Sequence, residues 1–214
     1  MHFSIVTIFE NLCTGYLSDS ILKRAIDNKL IEVDFFDPRD FTENKHKKVD
    51  DTPYGGGAGM VMTPQPLYDC ILKAKETNSG PVIFFTPQGE KFTQKTAEKH
   101  STDFDEVILV CGRYEGVDQR IRDLLVDIEL SMGDFVLTGG ELAALTYIDA
   151  NSRLLPGVLG DEQSHLTDSF SDFLEGKKQH PVYTKPETFK GLKIPEVLKS
   201  GHHKKIEEWK KSRK

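Results

Sequence analysis

Cysteine is scarce in this chain of 214 residues. Cys13, Cys70 and Cys111 are odd in number, far apart and contain no CxxC pair. A disulfide framework and a zinc cluster are therefore both excluded as organising devices, and reduced thiols with Cys111 buried in a strand are expected. Long apolar runs are missing too. None approaches the roughly 18 residues of a membrane span. The opening MHFSIVTIFENL has no basic start and is interrupted by Glu10, so it reads as a first strand and not a secretory signal. A cytoplasmic protein with no membrane partner is the expectation. Internal repeats and low-complexity tracts are lacking. His165, His180, His202 and His203 have no metal-ligand spacing, and the adjacent His202 and His203 cannot point the same way on a helix.

Two phosphate-binding signatures are also missing. There is no GxxxxGK[ST], and Gly112-Arg-Tyr-Glu-Gly116 has the wrong spacing for GxGxxG, so the nucleoside triphosphate and dinucleotide readings lose their motif support. What is present is an ordinary globular composition, 37% hydrophobic and 29% charged. That suits one large domain, or one domain with a small appendage. The net charge of −6 hides an asymmetry. Residues 174–214 carry 12 Lys/Arg against 5 Asp/Glu, a net of +7, which leaves 16 against 29, a net of −13, in residues 1–173. An acidic body with a basic tail is the pattern of a protein with a polyanionic partner, although a basic tail is also often just a solvated helix.

Along the chain, residues 3–9 and 30–36 read as strands around a helix that Ser18 or Asp19 would cap and that runs to about Asn28. A polar loop (39–52) and the glycine-rich PYGGGAGMVM (53–62) precede a helix in TPQPLYDCILKAKE. Three strand–loop units follow: 81–85 ending in TPQGE, 106–112 ending in RYEG, and 126–133 leading into DFVLTGGE. Helices at 92–100 and 116–125 separate them, and another spans 140–150. This alternation predicts an α/β fold with parallel strands and helices on both faces, and ligands in such sheets sit beyond the carboxyl ends of the strands. The segment DEQSHLTDSFSDF (161–173) reads as a linker, after which proline-started helical pieces carry the single tryptophan.

The stretch GDFVLTGGELAAL (133–145) sets a glycine pair before a helix, the usual form of a phosphate cradle. Around it stand Glu129, Asp134 and Glu141 with no Lys or Arg between 129 and 141, so a phosphate would be repelled. Backbone groups at Gly139 and Gly140 could bind the edge of a flat heterocycle, with Met132, Phe135 and Leu137 over its faces. An adenine joined to a sulfonium fits better than a pyrophosphate. On spacing alone a tight turn is the commoner explanation of such a glycine pair.

Taken together, PYGGGAGMVM, TPQG, LVCGRYEGVDQRI, SMGDFVLTGGELAAL, RLLPGVLG, TDSF, HPVYTKP and SGHHKKIEEW resemble, in order and over nearly the whole chain, the bacterial tRNA (guanine-N1)-methyltransferases of the TrmD type. These belong to the SPOUT trefoil-knot class. The resemblance implies a parallel-sheet SPOUT domain (1–160) with a deep C-terminal knot, a linker (161–173) and a small basic helical tRNA-binding domain (174–214). It implies S-adenosylmethionine held at an obligate homodimer interface, and a dependence on magnesium for which Glu115 is the candidate ligand. By motif, the cofactor residues would be Pro87, Gly112, Tyr114, Glu115, Gly116, Met132, Gly133, Leu137, Gly139 and Gly140. Phe135 and Ala143 fill wall positions where many members carry Tyr and Pro.

The reaction implied is methylation of N1 of guanosine 37 in tRNA, next to the anticodon. Asp168 of TDSF would be the base that removes the N1 proton, and Arg153 would stabilise the charge on O6. Lys177, Lys178, Lys185, His203 and Lys204 would hold tRNA phosphates. Lys185 and Lys210 replace the family's arginines, which gives up bidentate phosphate contact at Lys185. Relatives usually continue for several helical turns after the position of Trp209. Two other readings stay open. A ribose 2′-O-methyltransferase of the same class is disfavoured by PYGGGAGMVM and the DSF aspartate, and a non-catalytic RNA-binding module by the presence of Asp168 and the glycine pair.

Overall fold

A computed structural model describes residues 1–160, 168–171 and 174–212. The chain forms two compact units, Met1–Glu162 and Gln163–Lys214. Much of the segment expected to be a linker lies outside the described residues.

The first unit is built on five parallel strands, β1 (His2–Val6), β2 (Glu32–Phe36), β5 (Val82–Lys91), β6 (Glu106–Val110) and β7 (Ile128–Ser131), in the order β2-β1-β6-β5-β7. β1 and β6 are interior and nearly continuous in apolar residues, as strands covered on both faces must be. One face, with Phe3, Ile5, Ile83, Leu109 and Cys111, packs on α1 (Glu10–Leu17), α2 (Ser20–Asp27) and α6 (Glu141–Ser152). α4 (Gln94–Asp103) packs against α6. The other, with Val6, Val82, Phe84, Ile108 and Val110, packs on α3 (Pro64–Lys75) and α5 (Gln119–Leu125). The α/β class and its parallel sheet are as expected.

The caps follow the sequence. Asp19 accepts from the Ser20 N–H to open α2, Thr93 from Thr96 to open α4, and Asp118 from Arg120 to open α5. Three elements depart from the sequence reading. The first strand stops at Val6, because the Thr7 hydroxyl accepts from the Phe9 N–H at 2.9 Å and turns the chain into α1, a helix not expected. A two-residue antiparallel ladder, β3 (Asp50–Asp51) with β4 (Val61–Met62), closes the glycine-rich segment into a hairpin. β5 also continues past TPQG to Lys91. Its pairing with β7 breaks between Phe85 and Glu90, both opposite Leu130, so residues 86–89 leave the sheet and return.

In the second unit a small hairpin, β8 (Thr188–Phe189) with β9 (Leu192–Lys193), joins the expected helical pieces, a 3-10 turn at Glu196–Lys199 and α7 (His203–Ser212). Trp209 of α7 lies 6.0 Å from the His180 ring and 6.3 Å from Tyr183, which anchors the helix to the preceding segment. Among the described residues no helix is long and apolar enough to cross a membrane.

All three thiols are buried, and burial pushes Cys13 up to about 11 and raises Cys70 and Cys111 as well. One buried imidazole has a consequence for stability. His100 of α4 touches the rings of Phe104 and Tyr147, with Nδ1 3.0 Å from the Tyr147 hydroxyl. Burial first, and the neighbouring Lys99 second, hold it below its ordinary value. The unfolded chain therefore binds more protons than the folded one between that lowered value and about 6.5. The stability His100 contributes is present above about pH 6.5 and is lost as pH falls through the folded value. His100→Gln is expected to flatten the decline in urea midpoint between about pH 7 and 5; an unchanged slope would remove His100 as its source.

Candidate active site

The break in β5 and the carboxyl ends of β6 and β7 open into one cleft of about 240 Å³. Its walls are residues 84–87 at the break in β5, 112–116 after β6, and 130–133 with 135–140 at and after the end of β7, closed by Ala143 of α6. The strand order makes this possible, since β5 lies between β6 and β7 and their three loops rise side by side. All twelve residues expected at the cofactor line this cleft: Pro87, Gly112, Tyr114, Glu115, Gly116, Met132, Gly133, Phe135, Leu137, Gly139, Gly140 and Ala143.

The loop from β7 to α6 crosses the end of β5 and docks on β6, where the Gly140 N–H donates to the Gly112 carbonyl at 2.9 Å. The approach is too close for a side chain. A Cβ on Gly140 would stand 2.7 Å from Cys111 Cα and 3.0 Å from Gly112 N, both backbone. A Cβ on Gly139 would meet the Arg113 guanidinium at 2.3 Å. Gly116, at φ +125° with nothing within 4 Å, leaves the opposite wall open. The glycine pair thus serves first to seat the loop on β6, and only through that to shape the cleft.

The electrostatics differ from what the local sequence suggests. Glu141 is 2% exposed and lies under the loop. Its Oε1 accepts from Thr7 Oγ1 at 2.8 Å and from Arg113 Nε at 3.1 Å, while Arg113 Nη2 stands 2.8 Å from Oε2. Arg113 also donates to the Thr138 carbonyl and covers the Phe9 ring at 4.4 Å. Glu129 accepts both arms of Arg122 at 2.8 Å, and Asp134 pairs with Lys91. The three acids read as a repulsive patch are each paired with a cation from a neighbouring loop, strand or helix end. Glu115 is the one carboxylate in the cleft lining, and no ion pair to it occurs among the described residues. A ligand with a cationic end and a flat apolar body still fits this lining.

Burial, with Asp50 as a second cause, raises the Tyr114 phenol, so it stays a neutral donor. Tyr114 itself sits at φ +60°, a position that side chains other than glycine adopt sparingly.

The protein-family model described as tRNA (Guanine-1)-methyltransferase TrmD matches residues 1–214. A tRNA (guanine-N(1)-)-methyltransferase of Clostridioides difficile is 52% identical over 99% of this chain and 91% of its own length. One from Bacillus cereus is 51% identical over 98% and 85%. The crystal structure of tRNA (m1G37) methyltransferase from Aquifex aeolicus superposes with a TM-score of 0.80 at 41% identity, covering 99% of this chain and 88% of that one. The chain belongs to the TrmD family. It is accordingly a tRNA (guanine-N1)-methyltransferase with the parallel-sheet, trefoil-knot fold of the SPOUT class, and the family's methyl donor is S-adenosylmethionine.

The two expected catalytic residues fall in different units. Arg153 caps the C-terminus of α6 and is half-buried. Asp168 is also half-buried and begins a turn in which Ser171 N–H donates to its carbonyl and Phe170 N–H donates to the Lys177 carbonyl at 2.7 Å. Lys177, Lys178, Lys185, His203 and Lys204 are all exposed, and Lys177 pairs with Glu175 at 2.7 Å. Sequence reasoning overlooked Arg113, Thr7, Thr86, Ser131 and Thr138 as parts of the site. Arg113 had a usable signal: it follows the glycine at the end of a strand, while a glutamate opens the helix after the next strand.

Gly140→Ala is expected to weaken S-adenosylmethionine binding by about tenfold or more, because overpacking against backbone typically costs 1–3 kcal/mol. tRNA binding should change much less. Calorimetry with the cofactor alone checks this, and an unchanged affinity would show that the loop can shift off β6 without cost.

Proposed function

We propose that this TrmD enzyme methylates N1 of guanosine 37 in tRNA, with the cleft at β5–β7 holding S-adenosylmethionine, Asp168 acting as base and Arg153 stabilising O6. The observation that carries the reading is the convergence of all twelve motif residues on one cleft. Bound there, the cofactor supplies an electrophilic methyl group on a sulfonium. Met132, Phe135 and Leu137 offer apolar faces, the backbone of residues 112–116 and 139–140 offers polar edges, and Glu115 offers the negative charge. Guanine N1 carries a proton and has no free lone pair. Asp168 removes that proton, and the charge that develops on O6 is met by the guanidinium of Arg153. The guanosine must leave its stack to reach the site, at a cost of a few kcal/mol.

Lys177, Lys178, Lys185, His203 and Lys204 hold the RNA through phosphates, in a division of labour between the methyltransferase domain (1–160), linker (161–173) and basic domain (174–214). The working form is a cytoplasmic homodimer. Half-exposed or more, Leu12 and Tyr16 of α1, Leu142 of α6 and Val136 of the adjoining loop are apolar surface that a second copy would cover. Magnesium fits less well. Among the described residues no group of three His, Cys, Asp or Glu could hold a metal ion, and Glu115 is a lone carboxylate. An ion shared with substrate oxygens needs few protein ligands.

Mass analysis of tRNA after incubation with labelled cofactor tests the reading. Label on N1 of guanosine 37 is the expected result; label on a ribose oxygen would favour the 2′-O reading, and cofactor binding without transfer a non-catalytic module.

A further inference from the structure

The four glycines at 55, 56, 57 and 59 are not explained by the cofactor cleft, because none of them lines it. Their φ values are +87°, +80°, +124° and +86°, and a Cβ at 55, 56 or 57 would meet nothing within 4 Å. Packing therefore does not demand glycine at those three positions; backbone conformation does. The segment is the tip of the β3–β4 hairpin, and the tip is a hydrogen-bonded turn. The Gly56 N–H donates to the Pro53 carbonyl at 3.3 Å, with Gly55 at the position that a type II turn requires to have positive φ. This turn presents Tyr54, which is fully exposed at 103%.

The base of the hairpin is fastened to the cleft wall. Glu115 N–H donates to the Met60 carbonyl at 2.9 Å, Met62 N–H to the Gly116 carbonyl at 2.9 Å, and Asp118 N–H to the Met62 carbonyl at 3.1 Å. Glu115 also covers Gly59 so closely that a Cβ there would stand 2.5 Å from its side chain. The hairpin is thus an extension of the loop that carries Tyr114, Glu115 and Gly116, and its exposed aromatic tip is fastened to the same wall as the cleft rim.

We infer that Tyr54 is a base-stacking residue of the methyl-transfer reaction, receiving a nucleobase next to guanosine 37 when that guanosine leaves its stack. The inference rests on the proposed tRNA substrate. Extracting one base leaves its neighbours with an uncovered face, and an aromatic ring replaces the lost stacking whatever the base, since every base has a π face. Folding gains nothing from a fully exposed ring, and full exposure, with three glycines following it, leaves the ring open to a flat partner. Tyr54 acts by positioning the RNA; it takes no part in the chemistry.

The test compares the full chain with Tyr54→Ala and Tyr54→Phe, using tRNA and an anticodon stem-loop that carries 2-aminopurine immediately before or immediately after guanosine 37. Tyr54→Ala is expected to lower kcat/KM for tRNA by about tenfold, the scale of one stacked base by alanine substitution. S-adenosylmethionine affinity should be unchanged, and Tyr54→Phe should behave as the parent. Binding should quench 2-aminopurine at one of the two positions with the parent and with Tyr54→Phe, but not with Tyr54→Ala. An alanine variant within about twofold of the parent, or one that quenches equally, overturns the inference, as does a phenylalanine variant as impaired as alanine. A parent enzyme that leaves guanosine 37 unmethylated removes the substrate reading and the inference with it. A parent that methylates guanosine 37 beside an equally active alanine variant removes the inference alone.

Discussion

Asp168→Ala is expected to lower the rate of methyl transfer by about 10²- to 10⁴-fold, the usual contribution of a positioned general base. In barrier terms that is roughly 3–5 kcal/mol at about 1.36 kcal/mol per decade. The argument begins with the substrate. An N1 that holds its proton has no lone pair for a methyl group, so rate depends on a group that takes the proton as charge moves to O6. A carboxylate is a weak base toward an amide-like N–H. It therefore works only in concert with a stabiliser of O6, the role proposed for Arg153. Asp168→Asn should fall as far as the alanine variant, because it keeps the shape and loses the acceptor. S-adenosylmethionine affinity should stay unchanged in both, since every residue proposed to hold it lies in the first unit and Asp168 in the second. Single-turnover kinetics with saturating cofactor make the measurement. A near-normal rate in either variant would sink the assignment of Asp168 as base.

Arg113→Met is expected to destabilise the enzyme by about 3–5 kcal/mol, the cost of leaving one member of a buried ion pair uncompensated. The side chains of Arg113 and Glu141 are only 16% and 2% exposed, so water would not take over the role of the guanidinium. With Arg113 gone, Glu141 keeps the Thr7 hydroxyl and loses its charge partner. For a protein of this length that corresponds to a fall in Tm of roughly 10 °C. Cofactor affinity should drop as well, since the guanidinium holds the Thr138 carbonyl and fills the space beneath Gly139. Removing both charges, as Arg113→Met with Glu141→Leu, should recover most of the stability, because paired burial is nearly neutral against well-packed apolar side chains. By contrast Lys91→Met, which breaks an exposed pair with Asp134, should cost no more than about 1 kcal/mol. Thermal melts of the four proteins decide it. A melt of Arg113→Met within about 2 °C of the parent would mean that the loop reorganises and hydrates Glu141.

The two predictions draw on different sources. Asp168 is proposed from the TDSF motif by resemblance, and the twelve cleft residues were legible as motifs following three apolar runs. The Arg113–Glu141 pair was not legible. Counting charges between 129 and 141 finds acids alone, yet each acid there is paired. Arg113 comes from the loop after β6, Arg122 from α5 and Lys91 from the end of β5. Ion pairing depends on which strand ends lie side by side, and sequence proximity carries no information on that.

The missed elements have a similar cause. The strands of the two small hairpins, Asp50–Asp51 with Val61–Met62 and Thr188–Phe189 with Leu192–Lys193, are two residues long, too short to display an alternation. α1 was hidden because it continues the apolar run of β1 with only the Thr7 turn between them.

By itself the sequence determined the alternation of strands and helices, the parallel class that alternation imposes, the glycines at the turns and, by motif, the family and its expected site. Burial periodicity and backbone conformation are local properties, written residue by residue. Only the tertiary structure decided the strand order β2-β1-β6-β5-β7, the seating of Gly140 on Cys111 and Gly112, and the neutralisation of the cleft's acids. Each depends on segments distant in the chain meeting at backbone distance, and that is settled by how two apolar layers close over one sheet.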